Sequence, residues 1–250
     1  MGIPKFVAVQ GLKFAGVSGL YLAALIDKLL SSNNKRYLAV LDIGSGSGRP
    51  WSVASIFLQD SSSEISLTAI DAVSPEAHGF ENLREPKTFT QVQSSLFEAL
   101  ANTPDSSFDL VVCMDVIEHL SRADGYRLIY EMNRITKEAL ALSCPNGFMW
   151  QPPSKENPFQ AHISSWSPRD FREVGFRKVL GYHGLKATTL PFQKKRYSLN
   201  LVTGLIYVAE SLVVKLYPSL AALLWVEKTG KFISFEDDGP GLLDQFILGG

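Results

Sequence analysis

The sequence predicts an α/β fold: a doubly wound, mostly parallel sheet with helices on both faces. Three observations point there. From residue 38 onward short β-branched runs alternate with helical ones, the strand-like runs are apolar without a polar alternation, and the first of them ends in a glycine-rich turn that leads into a helix.

The elements follow in order. Ala39–Ile43 (AVLDI) reads as the first strand, and Pro50 suits the helix start after the glycine turn, where its missing N–H costs nothing. Ile65–Asp71 (ISLTAID) is the second strand, Thr88–Val92 the third and Phe108–Met114 (FDLVVCM) the fourth. Ser121–Lys137 reads as a long helix capped by Ser121, followed by a fifth strand, Ala139–Ser143, that Pro145 stops. Residues 145–165 are rich in Pro, Ser and Asn, and a loop of that length in a compact domain predicts a lid or binding segment. Ser167-Pro168-Arg169-Asp170 starts a helix that runs to Val174 and stops at Gly175. Phe176–Tyr182 and Ala221–Glu227 are two further strands, separated by an apolar, helical insertion, Leu199–Val214, that carries Glu210. The chain thus divides into an N-terminal packing helix within 1–37, a main domain over 38–228 and a C-terminal tail, 229–250.

Composition narrows the function classes. With 46% hydrophobic and 20% charged residues among 250, a substantial core forms. The formal net charge of -1, from 24 basic and 25 acidic side chains, argues against DNA and disfavours RNA as a partner. Two cysteines, Cys113 and Cys144, each lie in an apolar stretch, as expected of buried thiols in a reducing, cytoplasmic setting. Phe14–Ile26 is apolar but short for a transmembrane span, and Asp27 and Lys28 follow it at once. It reads as a packing helix, and peripheral membrane contact stays open. Oligomeric state is not legible.

The glycine turn carries the first chemistry. Asp42-Ile43-Gly44-Ser45-Gly46-Ser47-Gly48 places three residues without side-chain bulk where the backbone must turn sharply and approach a ligand. A dinucleotide fingerprint needs its third glycine at position 49, which is Arg49, so the spacing disfavours NAD. Asp71 ends the second strand roughly 20 residues farther on, where a carboxylate offers two acceptors to two vicinal ribose hydroxyls. The glycine spacing resembles the first motif of class I S-adenosylmethionine-dependent methyltransferases.

Two more segments support that resemblance. Asp115-Val116-Ile117-Glu118-His119-Leu120 resembles the strand-four motif of the ubiquinone-biosynthesis O-methyltransferase group, and His162 through Phe171 with Gly175-Phe176 resembles that group's later H…S/T-P-x-x-F…G-F segment. The resemblance implies a Rossmann-like seven-stranded sheet, the last strand antiparallel, with S-adenosylmethionine across the ends of strands one to four. It implies that Asp42, with Gly44, Ser45, Gly46 and Gly48, holds the amino acid end of the cofactor. Asp71 and Ala72 then hold the ribose, while Ser94, Ser95, Leu96 and Met114 border the adenine. Ser94 stands where the family often has an acidic residue.

The implied reaction is methyl transfer to an oxygen, less favourably a nitrogen, of a small-molecule or glycan acceptor, with His119 or His162 as general base. In some relatives an acidic-x-x-Glu-His…His set holds a divalent metal. Here the matching residues are Asp115, Glu118, His119 and His162, a set that suits Mg or Zn. A metal-dependent O-methyltransferase of a quinone-like ring or RNA hydroxyl is therefore one alternative, and a non-catalytic partner subunit on the same fold is another. Convergence of the four residues on one point favours the metal.

Overall fold

The computed structural model describes residues 15–32, 35–58, 63–73, 88–155, 157–185, 212–214 and 216–229. His78, the Lys186, Lys194, Lys195 and Arg196 cluster, all but the last three residues of the apolar insertion, and the tail from residue 230 lie outside them.

Seven strands form one sheet: β1 (Tyr37–Ile43), β2 (Glu64–Asp71), β3 (Thr88–Gln93), β4 (Phe108–Met114), β5 (Thr136–Pro145), β6 (Lys178–Leu185) and β7 (Ala221–Thr229). Their order is β3-β2-β1-β4-β5-β7-β6. β7 runs antiparallel to both of its neighbours, β5 and β6, while the other pairings are parallel. The expected arrangement of six parallel strands and a last antiparallel one is present.

Strand periodicity explains the two-layered core. Leu38 and Val40 of β1, Leu110 and Val112 of β4, Ala139 and Ala141 of β5, and Leu223 and Trp225 of β7 belong to one buried cluster. Their alternates, Leu41, Ile43, Val111, Cys113, Leu140, Leu142, Leu224 and Val226, belong to the other. Both faces are covered, which is why these strands show no polar alternation. The first face is covered by α1 (Ala15–Ser32) and α2 (Arg49–Leu58), and the second by α4 (Arg122–Ile135) and α5 (Pro168–Glu173). A short α3 (Leu96–Ala101) follows β3.

The apolar N-terminal stretch is such a packing helix. α1 crosses α2 at Gly19, where a Cβ would stand 2.5 Å from the Pro50 carbonyl and 2.6 Å from Val53 Cβ. Tyr21 stacks on Trp225 with ring centroids 5.6 Å apart. Among the described residues, no helix is long and apolar enough to cross a membrane. Both cysteines are free and buried.

One boundary moves. α4 ends at Ile135 and β5 begins at once at Thr136, three residues before the expected strand start. Thr136 adopts extended backbone (φ -89, ψ 139) while its hydroxyl donates to the Met132 carbonyl at 2.5 Å. A β-branched residue that closes the helix with its own hydroxyl enters the strand without a loop.

The order of strands reverses direction between β1 and β4, so the crevice for a ligand opens at their carboxyl ends. The glycine turn leaves β1 there, and the D-V-I-E-H-L run leaves β4 there.

Candidate functional site

The glycine turn is built as its sequence requires. Gly44, Gly46 and Gly48 all have positive φ (67, 51 and 69°), which an L-residue adopts only at a cost. The Gly44 N–H donates to the Ile70 carbonyl at 2.8 Å, which ties the turn to the end of β2. A Cβ on Gly44 would lie 2.2 Å from Val116 Cγ2, whereas one on Gly46 would meet nothing within 4 Å. The open side of the turn is therefore at Gly46, where backbone can meet a ligand.

Acidic groups sit on either side. Asp42 is 1% exposed and its Oδ2 accepts from the Trp51 indole N–H at 2.8 Å. Its Oδ1 and the Ser45 hydroxyl are buried without a partner. Burial pushes the Asp42 carboxyl up to about 7; the Trp51 hydrogen bond opposes that rise and the Asp71 charge adds to it. Asp71 accepts from Gly46 N–H at 2.8 Å through Oδ2 and from Val73 N–H at 2.9 Å through Oδ1. Ala72 is exposed beside it.

β3 delivers Ser94 next to this carboxylate, with the Ser94 N–H on the Asp71 carbonyl at 3.1 Å. Ser94 Oγ donates to the Ser95 carbonyl at 3.2 Å, and Ser95, the residue before α3, donates to Glu98 at 3.1 Å. Leu96 is half-buried at the start of α3, and Met114 is buried at the end of β4. Every residue read as cofactor-binding thus lies at the carboxyl ends of β1 to β4. Orphaned buried acceptors at Asp42 and Ser45, and the open face of Gly46, fit a ligand with an ammonium group and a flat adenosine.

A second cluster begins where β4 ends. Asp115 takes a positive φ of 57° and is exposed, and its Oδ1 accepts from the Ser143 hydroxyl at 3.1 Å. The chain then makes a 3₁₀ turn, Ile117–His119. The Glu118 carbonyl accepts from the N–H groups of Ile163 (2.9 Å) and Ser164 (3.1 Å), which brings His162 over this turn. His119 Nδ1 donates to the Ala161 carbonyl at 3.0 Å and His162 Nδ1 to the Met149 carbonyl at 2.6 Å. The rings meet edge to face, 4.8 Å between centroids.

Glu118 is 3% exposed, its Oε1 lies 4.0 Å from His162 Nε2, and its Oε2 is buried without a partner. Burial holds the Glu118 carboxyl well above its usual range, and the Asp115 charge adds to that. Burial lowers His162, with His119 adding to the effect against the Met149 hydrogen bond. Glu118, His119 and His162 each place one ligand atom within 4.8 Å of the others; Asp115 is not part of that group.

These residues wall a cavity of about 510 Å³, closed on other sides by Pro145, Met149, Trp150, Gln151, Gln160 and Leu223. Met149, Gln151, Gln160 and Leu223 belong to no motif that marks them from the sequence as acceptor-site residues. The loop is anchored at both ends. Asn146 donates to the carbonyls of Pro218, Ser219 and Ala221, and buried Trp166 donates to the Ile117 carbonyl at 3.3 Å and Ser164 Oγ at 3.0 Å. Trp166 therefore anchors the start of α5 in the core, and Trp150 and Phe159 stay exposed at 75% and 62%.

Residues 41–142 match the family described as "Methyltransferase domain", and that span runs from the end of β1 through β5. The matched segment is a methyltransferase domain. No curated protein matches it. Among solved structures, this chain is similar to a SAM dependent methyltransferase from Archaeoglobus fulgidus, at 19% identity over 83% of this chain and 94% of that one, TM-score 0.47. It is also similar to magnesium protoporphyrin IX methyltransferase from Synechocystis PCC 6803, at 15% identity over 90% and 93%, TM-score 0.47. A putative sarcosine dimethylglycine methyltransferase from Galdieria sulphuraria is 13% identical over 83% and 84%, TM-score 0.47.

Proposed function

We propose that this methyltransferase moves a methyl group to an oxygen of a small-molecule or glycan acceptor seated in the cavity under the 145–165 loop. The carrying observation is the state of the two imidazoles. Each has Nδ1 committed to a backbone carbonyl, so each keeps its lone pair at Nε2, where it can take a proton. Lowered basicity at His162 favours the neutral, proton-accepting form at neutral pH. No Lys or Arg is among the described residues that wall the cavity, which supports an uncharged acceptor.

S-adenosylmethionine supplies an already activated methyl group on a sulfonium, so the protein's work is alignment and exclusion of water. In this reading Asp42 and the glycine turn take the donor's ammonium end, Asp71 and Ala72 the ribose, and Ser94, Ser95, Leu96 and Met114 the adenine. His119 or His162 removes the acceptor's proton. The test is transfer of labelled methyl to a panel of neutral polyols, phenols and amines, with His119→Gln and His162→Gln alongside. A loss of about 10²–10⁴-fold in kcat for one variant, with label on oxygen, supports the reading. Wild-type rates in both variants, or label on amines alone, overturn it.

One observation favours a second, metal-assisted reading. Glu118, His119 and His162 converge, and an orphaned buried carboxylate oxygen beside two oriented imidazoles is a donor set that Mg or Zn fits. A bound cation would lower the pKa of an acceptor hydroxyl. Asp115, expected in the same set, is instead engaged with Ser143. A Mn²⁺- or Zn²⁺-dependent rise in melting temperature that Glu118→Gln abolishes supports this reading; no metal-dependent rise removes it.

A further inference from the structure

We propose that Trp51 is a positioning residue for the methyl donor: its indole N–H commits one oxygen of the buried Asp42 carboxylate and leaves the other free for the donor's ammonium group. The proposal rests on the reading of Asp42 as the ammonium acceptor.

The geometry is specific. Trp51 and Asp42 are each 1% exposed, and the bond between them is 2.8 Å. An indole N–H only donates, so it cannot rotate into an acceptor role or ionise. Trp51 is the third residue of α2, directly after the glycine turn, so one segment shapes the turn and fixes the carboxylate's orientation. The remaining oxygen, Oδ1, is buried with no partner, and a buried acceptor left unpaired is costly until a donor reaches it. Ser45, in the turn itself, also keeps a buried, unpaired hydroxyl.

The charges around Asp42 set the direction of any pH effect. Asp71, from β2, disfavours its ionisation. Cys113 on β4 is coupled to Asp42, but burial holds its thiol well above the usual range, so it stays neutral. From α2, the Trp51 N–H alone favours the charged form. With Asp42 titrating at about 7, the donor's ammonium end is gripped above that pH and released as pH falls through it. Without the indole N–H the carboxyl rises further, and the grip is lost at a higher pH.

The test is the affinity for S-adenosylhomocysteine by calorimetry from pH 5.5 to 9 in wild type, Trp51→Phe, Asp42→Asn and the double variant. Methylthioadenosine, which lacks the amino acid end, is the control ligand. Wild-type affinity should rise with pH through about 7. Trp51→Phe should displace that profile upward by about one pH unit, making binding about tenfold weaker below the midpoint and equal well above it. Asp42→Asn should bind weakly without this pH dependence, and methylthioadenosine should not follow it in any variant. A Trp51→Phe profile that superimposes on wild type overturns the positioning role. Wild-type affinity in Asp42→Asn at all pH values overturns the ammonium reading instead, so the two failures are distinct. Should Trp51→Phe fail to fold, the wild-type protein still decides. One indole N–H resonance must titrate near the same pH and stop titrating in Asp42→Asn, and a titration-silent set of indole resonances overturns the proposal.

Discussion

Gly44→Ala tests the link between the two halves of the site. Gly44 has φ of 67°, and forcing an L-residue there costs ~1–2 kcal/mol. The new methyl would also stand 2.2 Å from Val116 Cγ2, the first residue after Asp115. Val116 is β-branched and stiff about χ1, so it yields only by moving backbone, and overpacking of that kind costs ~1–3 kcal/mol. The two terms predict a loss of about 2–5 kcal/mol, a large share of a domain's stability and a fall in melting temperature on the order of 10 °C. Val116→Ala removes the overlap and leaves the φ penalty. The double variant should therefore be more stable than the sum of the singles by ~1–3 kcal/mol. Urea unfolding of the four proteins measures this directly. Additivity within ~0.5 kcal/mol, or a Gly44→Ala variant as stable as wild type, would refute the close approach of the glycine turn to the D-V-I-E-H-L run.

Other outcomes follow from the same geometry. Asp71→Ala removes the acceptor for two N–H groups, from Gly46 and Val73, and should weaken S-adenosylhomocysteine binding at least about tenfold by calorimetry; unchanged affinity removes Asp71 from the site. Trp150→Ala, at a residue 75% exposed, should leave stability within ~0.5 kcal/mol of wild type while raising the acceptor KM, and a collapse in melting temperature would contradict that role. Acid stability should depend on Asp170. Burial pulls its carboxyl upward, but hydrogen bonds from Arg122 and Ser167 outweigh this and leave it below the ordinary aspartate value. A carboxyl lowered in the folded state contributes stability above its unfolded pKa and loses it as pH falls through the folded one. Wild type should accordingly lose more stability than Arg122→Gln between pH 5 and pH 2; parallel curves would sink that coupling.

Much of the fold was legible because its signals are local. The AVLDI strand, the glycines at 44, 46 and 48, and Asp71 at the end of the next strand lie within one βαβ stretch, where turn chemistry and strand ends leave a direct trace. The same holds for α5, whose capping box joins Ser167 and Asp170 three positions apart. Its stop at Gly175 needs a positive φ, here 89°, that glycine tolerates. Where local signals compete, boundaries moved, as at Thr136.

What the sequence determined by itself was a parallel α/β sheet, a glycine turn for a ligand at its first strand end, and the residue types of the second cluster. Tertiary structure alone decided which of those residues meet. His162 reaches His119 only because the Glu118 carbonyl accepts two N–H groups from the far end of the loop, while Asp115 leaves the group for Ser143 on β5. Trp51 carried no sequence signal of its own, and only the folded position of α2 puts its N–H on Asp42. Such contacts join residues distant in the chain through strand register and helix crossing, and neither has a periodicity that composition or spacing can record.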